Sequence, residues 1–228
     1  MLKFTPLLLA LLYGLAMYRI SVWRTHRELD ARSTELADPT LKALTDRLAA
    51  ALELRRIPVH IYEIDPVNGL AAPDGRIFIT RGFYRKYRNG EVSGEEMTSV
   101  IAHELGHVAL GHARKRMIDF SGQNALRTAL VILLGRFIPL IGVWIANSLT
   151  ALLAARLSRA DEYEADEYAA ALLVKAGIGV EPQKSLFRKL NALTEARAGV
   201  APAWLMSHPG TEDRIKAIEN LERRWSKV

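Results

Sequence analysis

The chain has 228 residues, half of them hydrophobic, which is enough for one sizeable core with or without an appended segment. Its formal net charge is +6, but the basic residues are scattered and not interleaved with aromatic side chains, so we expect no nucleic-acid partner. The positive charge instead suits solvated faces and attraction to anionic membrane lipid. Because the chain has no cysteine, disulfides and thiolate metal ligands are excluded, and a metal would have to be bound by His, Asp or Glu.

The first apolar segment, from Phe4 to Tyr18, predicts an N-terminal membrane anchor within residues 1–24. About 15 to 18 apolar residues are short for a membrane span but can form one. The alternatives are a cleaved signal segment, for which a small-x-small cleavage site after the apolar run is missing, and a buried helix of a soluble protein. More basic residues follow the segment than precede it. This favours a body on the cytoplasmic side of a bacterial-type inner membrane, with the periplasmic side as the alternative.

The next part of the chain predicts one helix and two strands. Apolar residues recur at helical spacing within residues 33–55. Partial alternation from Ile57 to Ile64 predicts a strand, and Arg76 to Thr80 predicts a second one that Gly82 ends. The residues between them, from Asn68 to Gly75, have the chemistry of a turn.

A buried helix is predicted to begin at Ser93. Ser93 and Glu96 form a capping-box pattern, in which each side chain accepts a hydrogen bond from the backbone N–H of the other residue. An apolar stripe at helical spacing from Met97 to Val108 predicts that one face of this helix is buried. We expect the helix to continue toward Met117.

This helix carries the most informative sequence of the chain, HELGH at residues 103–107. Because residues four apart lie on one face of a helix, His103 and His107 can direct two imidazole nitrogens at one metal ion, with Glu104 beside it. This HExxH pattern is typical of zinc peptidases, in which the glutamate is the general base. Chance matches occur, so the pattern becomes specific only if the sequence also supplies the right helix, a third ligand and an oxyanion stabiliser.

A second apolar tract covers residues 125–157. Its part from Phe137 to Ala155 could span a bilayer, but Asn147 and Ser148 near the middle would be costly in lipid. We expect a helical hairpin insert that packs on the domain or lies in the membrane interface. A membrane span and plain core packing are the alternatives.

The C-terminal part is predicted to be helical. Helices are expected from Ser158 to Ala176, where glycines follow, and from Pro182 to Ala198. A loop from Pro202 to Gly210 separates them from an amphipathic helix over Thr211 to Trp225.

Two candidates compete for the third ligand that a catalytic zinc site needs. His112 lies five residues past His107, about 140° round a continuing helix, so we expect it to point away from the metal as a capping or surface residue. Glu162 and Asp166 lie four apart on the predicted helix and share a face. One could ligate the metal while the other accepts a hydrogen bond from a ligating histidine, although a solvated acidic face is the alternative.

Three motifs together resemble one family of enzymes. They are HELGH at residues 103–107, SRADEYEAD at residues 158–166, and His208-Pro209 with Arg214 and Ile215 downstream. Their order is similar to that of the HtpX and CAAX-prenyl-endopeptidase group of zinc metallopeptidases. The resemblance implies an α+β, mostly α fold: a gluzincin-type metallopeptidase domain over residues 33–228, with a small β-sheet and the HExxH helix at the active site.

The resemblance also implies a metal site. One zinc ion per chain would be bound by His103, His107 and Glu162, the last being the glutamate of the family's SRxxE motif. Asp166 would accept a hydrogen bond from a ligating histidine and fix its tautomer.

The implied activity is hydrolysis of peptide bonds in unfolded or membrane-associated polypeptides. Glu104 would be the catalytic base, His208 would donate a hydrogen bond to the oxyanion, and Arg214 would orient this loop or pair with a carboxylate. An extended substrate would pair with an edge strand formed by Ile77, Phe78, Ile79 and Thr80. The family often has Asn-Ala-Phe-Ala just before that strand, where this chain has Asn-Gly-Leu-Ala. The alternative function is a non-catalytic zinc-containing chaperone or adaptor at the membrane.

Overall fold

The computed structural model of the protein describes residues 16, 19–20, 22–72, 74–112, 115, 126–127, 130–131, 141–196, 204, 206, 208 and 211–225. Most of the predicted N-terminal anchor, much of the first half of the 125–157 tract and most of the loop before Thr211 lie outside this set. Within it, a small sheet packs against helices, which confirms the predicted α+β, mostly α fold.

Strands and helices are mixed in the first half of the described chain, and the second half is helical. In chain order the elements are α1 (residues 22–31), β1 (Ser33–Glu35), α2 (Pro39–Ala51), β2 (Val59–Tyr62), β3 (Gly69–Ala71), β4 (Ile77–Thr80), α3 (Arg81–Arg88), α4 (Gly94–Ala109), α5 (Ile141–Lys175), α6 (Glu181–Ala196) and α7 (Thr211–Trp225). The helix predicted within 33–55 is present from Pro39 to Ala51, but the start of that range, Ser33–Glu35, forms strand β1 instead. The helices predicted after Pro182 and from Thr211 and the two predicted strands are confirmed.

The sheet has the strand order β1-β2-β4-β3. β2 and β4 run parallel, and the two outer strands pair antiparallel with their neighbours. Because both edges of β4 are paired, the prediction that Ile77, Phe78, Ile79 and Thr80 offer an edge to a substrate is wrong. The reason is that Gly69–Ala71, which has turn chemistry in the sequence, pairs with β4 and takes the edge position.

Helix α4 lies at the centre of the described fold. It packs against β3, β4, α2, α5 and α6. Its side chains Met97 and Ile101 are fully buried, and burying a side chain of this size stabilises a fold by about 1.5–3 kcal/mol. The predicted capping box is present, because Ser93 and Glu96 each accept a hydrogen bond from the backbone N–H of the other. The start of the helix is therefore fixed by local chemistry.

The end of α4 differs from the sequence prediction. The helix ends at Ala109 and does not continue toward Met117. Leu110 forms the C-cap, and Gly111 follows with a φ of +66°. Glycine adopts this left-handed conformation without the steric cost that other residues meet. The chain therefore changes direction just before His112.

Helix α5 is longer than predicted. It begins at Ile141, not near Ser158, and continues without a break to Lys175. Its first half is thus the later part of the apolar tract. Among the described residues, no helix combines the length and the apolar content that crossing a membrane requires.

Candidate active site

Four side chains from three parts of the fold meet in one buried group, which we call the ligand cluster: His103 and His107 on α4, Glu162 on α5, and His208 ahead of α7. Each offers one ligand atom, and these atoms all lie within 4.8 Å of one another. Glu162 bridges the two α4 histidines, with Oε2 3.3 Å from His103 Nε2 and Oε1 3.5 Å from His107 Nε2. All four residues are at most 9% exposed.

A close approach of α4 and α5 brings Glu162 to the histidines. The helices meet at Gly106, where a Cβ atom would lie 2.9 Å from the carbonyl oxygen of Ala165. Only glycine allows two backbones to approach this closely. Glu162 lies about one turn before Ala165 and therefore faces the HExxH side of α4.

Asp166 lies directly behind His103. Its Oδ1 is 3.0 Å from His103 Nδ1, and Arg214 donates to both carboxylate oxygens, from Nε at 2.5 Å and from Nη2 at 2.8 Å. Burial raises the pKa of Asp166, but the Arg214 guanidinium outweighs burial and holds that pKa below its usual range. An ionised Asp166 can accept the Nδ1–H of His103, which directs the other ring nitrogen, Nε2, into the ligand cluster, where it can bind a metal once it has lost its proton.

The charges of the ligand cluster suit a divalent metal. Burial lowers the pKa of His103, but its hydrogen bonds to Asp166 and Glu162 outweigh burial and raise the pKa to about 9. Burial raises the pKa of Glu162, but hydrogen bonds from His103 and His208 hold it far below its usual range. Glu162 is therefore ionised although it is buried, and a positive charge beside it is needed to compensate its own. Two imidazoles and one carboxylate are a common zinc ligand set, so these residues fit the metal.

Glu104 is buried beside the ligand cluster with one oxygen unsatisfied. The residue is 3% exposed, and its Oε1 has no hydrogen-bond partner among the described residues. His208 Nε2 lies 3.6 Å from this Oε1. A buried carboxylate oxygen without a donor is costly, so a water molecule or a substrate group is the expected partner.

His208 lies inside the ligand cluster and not merely beside it. Its Nδ1 is 2.6 Å from Glu162 Oε2, and its ring stacks on Trp204 with centroids 5.0 Å apart. Arg214 Nη1 donates to the carbonyl oxygen of His208 at 3.0 Å. Both alternatives for Arg214 therefore occur together, since it pairs with a carboxylate and holds the His208 backbone. His208 could donate a hydrogen bond to a reacting group or serve as a fourth ligand.

His112 is not the capping or surface residue that the sequence predicts, although it does lie outside the ligand cluster. The side chain is 1% exposed, and its Nδ1 is 2.7 Å from Nδ1 of His107. The error came from assuming a continuing helix, whereas Gly111 redirects the chain after α4. A glycine just before the histidine was the signal that could have indicated this.

Trp204 is a site residue that sequence reasoning misses. It is fully buried, its ring lies 5.8 Å from His103 and 5.5 Å from Phe187, and its backbone N–H donates to the carbonyl oxygen of Val67 at 3.0 Å. A tryptophan within a predicted loop is the signal that could have indicated a buried contact. Trp204 supports one side of the His208 ring.

Strand β3 approaches the site next to Glu104. A Cβ atom on Gly69 would lie 2.7 Å from Val100 Cγ1 and 3.6 Å from Glu104 Oε1. In this packing a glycine fits at position 69 without a shift of Val100, which accounts for the glycine in the Asn-Gly-Leu-Ala sequence. The outer edge of the sheet therefore passes beside the buried carboxylate.

The backbone of β3 offers hydrogen-bonding groups at that outer edge. Asn68 accepts and Ala72 donates a backbone hydrogen bond on the β4 side, at 3.0 and 2.9 Å. Because these groups alternate across an antiparallel strand, the N–H and C=O of Gly69 and Ala71 face away from β4. No described strand pairs with that edge.

Comparisons with known proteins agree with this geometry. A family model described as Peptidase family M48 matches residues 35–222. The chain is 29% identical over 180 residues to Metalloprotease LoiP of Escherichia coli (strain K12), covering 79% of this chain and 68% of that protein. It is 29% identical over 160 residues to Metalloprotease YcaL of the same organism, covering 70% and 60%. It is 24% identical over 170 residues to Metalloendopeptidase OMA1, mitochondrial, of Homo sapiens. That match covers 72% of this chain but only 32% of the relative's own length.

Proposed function

We infer that this chain, which belongs to peptidase family M48 and is a metalloendopeptidase, has zinc as its metal. We propose that His103, His107 and Glu162 bind it. The observation that carries this proposal is the convergence of these three residues from two helices, with their ligand atoms within 4.8 Å. Three protein ligands of this kind, with one further position for water or substrate, are typical of catalytic zinc sites.

The residues around the cluster support a hydrolytic mechanism. Zinc bound there would acidify a water molecule and polarise the scissile carbonyl. Glu104 accepts the proton of that water, because its buried Oε1 lacks a donor within the described chain, and then delivers the proton to the leaving amine. His208 donates a hydrogen bond to the oxyanion, which its position beside both Glu104 and Glu162 supports.

The substrate is proposed to be a flexible polypeptide that binds extended along the outer edge of β3. The outward N–H and C=O groups of Gly69 and Ala71 can pair with it as an added strand. The approach of Gly69 to Glu104 supports this choice, because it brings the scissile bond near the base. Pairing of this kind uses the backbone hydrogen-bonding groups of an extended substrate. It therefore favours unfolded over folded polypeptides, whose backbone groups are already paired.

We propose that the enzyme works at a membrane surface, with the 125–157 segment in the interface. The support is an exposed apolar face on the first half of α5, where Trp144 is 70%, Leu149 is 52% and Leu152 is 67% exposed. Apolar patches of this kind on a water-soluble surface usually mark a contact with lipid or a partner. The net charge of +6 suits anionic lipid. Its substrates would then include membrane-associated polypeptides.

One observation favours a second candidate, a zinc-containing chaperone or adaptor without hydrolysis. His208 offers a fourth ligand atom within the cluster. Zinc sites closed by four protein ligands are typically structural. The two candidates differ in whether the bound metal supports cleavage.

Replacing Glu104 with Gln tests the proposal directly. We expect casein cleavage to fall by about 10²–10⁴-fold, because the general base is lost, while bound zinc stays stoichiometric. Glu162→Ala should instead lose zinc, measured by elemental analysis. Glu95→Gln is the matched control, since Glu95 is an exposed glutamate on the same helix.

The outcomes separate the candidates. Cleavage retained in Glu104→Gln would refute its role as base. Wild-type protein that binds zinc but cleaves nothing, with or without chelator, would support the chaperone or adaptor. Zinc retained by Glu162→Ala would show that the third ligand is wrong.

A further inference from the structure

The two histidines of the HExxH motif have different partners behind them. His103 Nδ1 contacts the carboxylate of Asp166, which Arg214 holds. His107 Nδ1 instead contacts another imidazole, that of His112, at 2.7 Å, with ring centroids 4.9 Å apart. Two ring nitrogens at this distance share one proton, so one of them donates and the other accepts.

His112 has an acidic partner on its other side. Its Nε2 is 3.2 Å from Glu164 Oε2 and 4.0 Å from Asp161 Oδ1. Lys115 Nζ contacts both carboxylates, at 2.7 Å from Asp161 and 3.7 Å from Glu164. An ammonium already lies between these carboxylates, so the group is better explained as a hydrogen-bond network than as a second cation site.

We propose that His112 is a positioning residue for the metal ligand His107. His112 Nδ1 accepts the proton of His107 Nδ1–H, and His112 Nε2–H donates to Glu164. This arrangement holds His107 in the tautomer whose Nε2 lone pair faces Glu162 and the metal, because a histidine that donates from Nδ1 must bind through Nε2. The inference rests on the proposed function for the identity of His107 as a ligand.

The geometry makes Glu164 a remote contributor to metal binding. Glu164 is not in the ligand cluster, and its side chain is 52% exposed. It is linked to His107 through His112, whereas Asp166 contacts His103 directly. Metal affinity should therefore depend on an exposed carboxylate that never contacts the metal.

Two substitutions at His112 distinguish positioning from packing. Asparagine puts an amide oxygen near the place of Nδ1 and keeps the acceptor for His107. Glutamine puts its amide nitrogen near the place of Nε2 and removes that acceptor. Both are polar residues of comparable size, so packing alone predicts similar effects.

The experiment measures Zn²⁺ affinity by competition with a chromophoric chelator, in the Glu104→Gln protein to prevent self-cleavage. We expect His112→Gln to bind zinc about 10–100-fold more weakly, the usual effect of losing such a partner, and His112→Asn to bind close to the parent. Glu164→Ala should weaken binding less than His112→Gln. Adding Glu164→Ala to the His112→Asn protein should weaken binding no further, because His112→Asn has already removed the contact between residue 112 and Glu164. Glu167→Ala, an exposed glutamate on the same helix, is the control.

Nitrogen NMR of the histidine rings gives a second readout that packing would not change. The zinc-loaded parent should show His107 protonated at Nδ1 and His112 protonated at Nε2.

The inference is overturned if the Asn and Gln variants weaken binding equally, if neither does, or if Glu164→Ala matches Glu167→Ala. Glu164→Ala involves no buried change, so it tests the network even where a His112 variant does not fold. A parent that binds no zinc refutes the proposed ligand set itself, whereas a parent that binds zinc with unaffected variants refutes this inference alone.

Discussion

Arg214 controls the charge balance of the site. It is 1% exposed, pairs with both oxygens of Asp166, and its Nη1 lies 3.6 Å from Glu162 Oε2. Its guanidinium also lies over the Phe187 ring, with 4.6 Å to the centroid. A buried charge without a partner costs several kcal/mol, so each carboxylate here needs a cation. Arg214 pairs closely with Asp166 and lies farther from Glu162, so Glu162 still depends mainly on the histidines or on a metal to compensate its charge.

Metal uptake should release a proton from His103. Hydrogen bonds to Asp166 and Glu162 overcome burial and raise the pKa of His103 to about 9, from an ordinary value of 6.5. The imidazole is therefore protonated at pH 7.5 without metal, and a metal binds only its neutral form. Zinc affinity should accordingly rise with pH up to about pH 9 and then level off. Calorimetric titration with zinc at pH 7.5, in two buffers of different ionisation enthalpy, should show release of about one proton from this residue.

The pKa of Glu162 supports the assignment of that proton. It lies far below its usual range, so Glu162 is already ionised and releases nothing at pH 7.5. Equal apparent enthalpies in the two buffers would contradict the expectation. A titration at pH 9, where about half of the His103 rings are already neutral, is the matching control and should show a smaller release from this residue, with zinc supplied as a soluble weak chelate so that its hydroxide does not precipitate.

At the scale of elements, the parts fixed by local chemistry could be predicted from the sequence. The start of α4 could be predicted because the capping box itself is local: Ser93 and Glu96 each accept the backbone N–H of the other. The contacts of Glu96 with Ser185 and Lys189 only add to it. Strand β3 could not, because Asn-Gly chemistry favours a turn and pairing with β4 decides otherwise. The end of α4 could also have been predicted from the sequence, since a glycine such as Gly111 typically follows the last residue of a helix.

Gly111 should link the end of α4 to metal binding. A Cβ atom on Gly111 or on Gly90 would meet no atom within 4 Å, and both residues have positive φ, +66° and +74°. Alanine at either position should therefore lower the free energy of unfolding by a similar amount, about 1–2 kcal/mol of backbone strain. Gly111→Ala alone should also weaken zinc binding, because it displaces His112. Urea unfolding and chelator competition measure the two effects.

Asparagine provides the conservative variant for this element. It tolerates the left-handed conformation better than alanine, so Gly111→Asn should recover much of the affinity. If Gly111→Ala and Gly90→Ala bind zinc equally well, the end of α4 does not act through His112.

At the scale of the whole molecule, the site depends on contacts between parts distant in sequence. HExxH indicated two histidines on one helix face, and the acidic stretch offered Glu162 as a candidate, because both patterns are local. The position of His208 could not be read in this way. It depends on Trp204, which packs on the His208 ring and hydrogen-bonds to Val67 near the sheet. Periodicity carries no information about such a contact.

The two ends of α5 should differ in their contact with a membrane. Leu152, in the first half, is 67% exposed, and Val174, near the last turn, is 48% exposed. Because the chain has no cysteine, single Leu152→Cys and Val174→Cys variants can each carry one environment-sensitive fluorophore. On addition of vesicles that contain anionic lipid, we expect the label at Leu152 to shift to shorter wavelength and become protected from iodide, since apolar side chains gain about 1.5–3 kcal/mol from leaving water. The label at Val174 should stay in water. Equal responses at the two positions, or none at Leu152, would mean that this face of α5 does not lie in the interface.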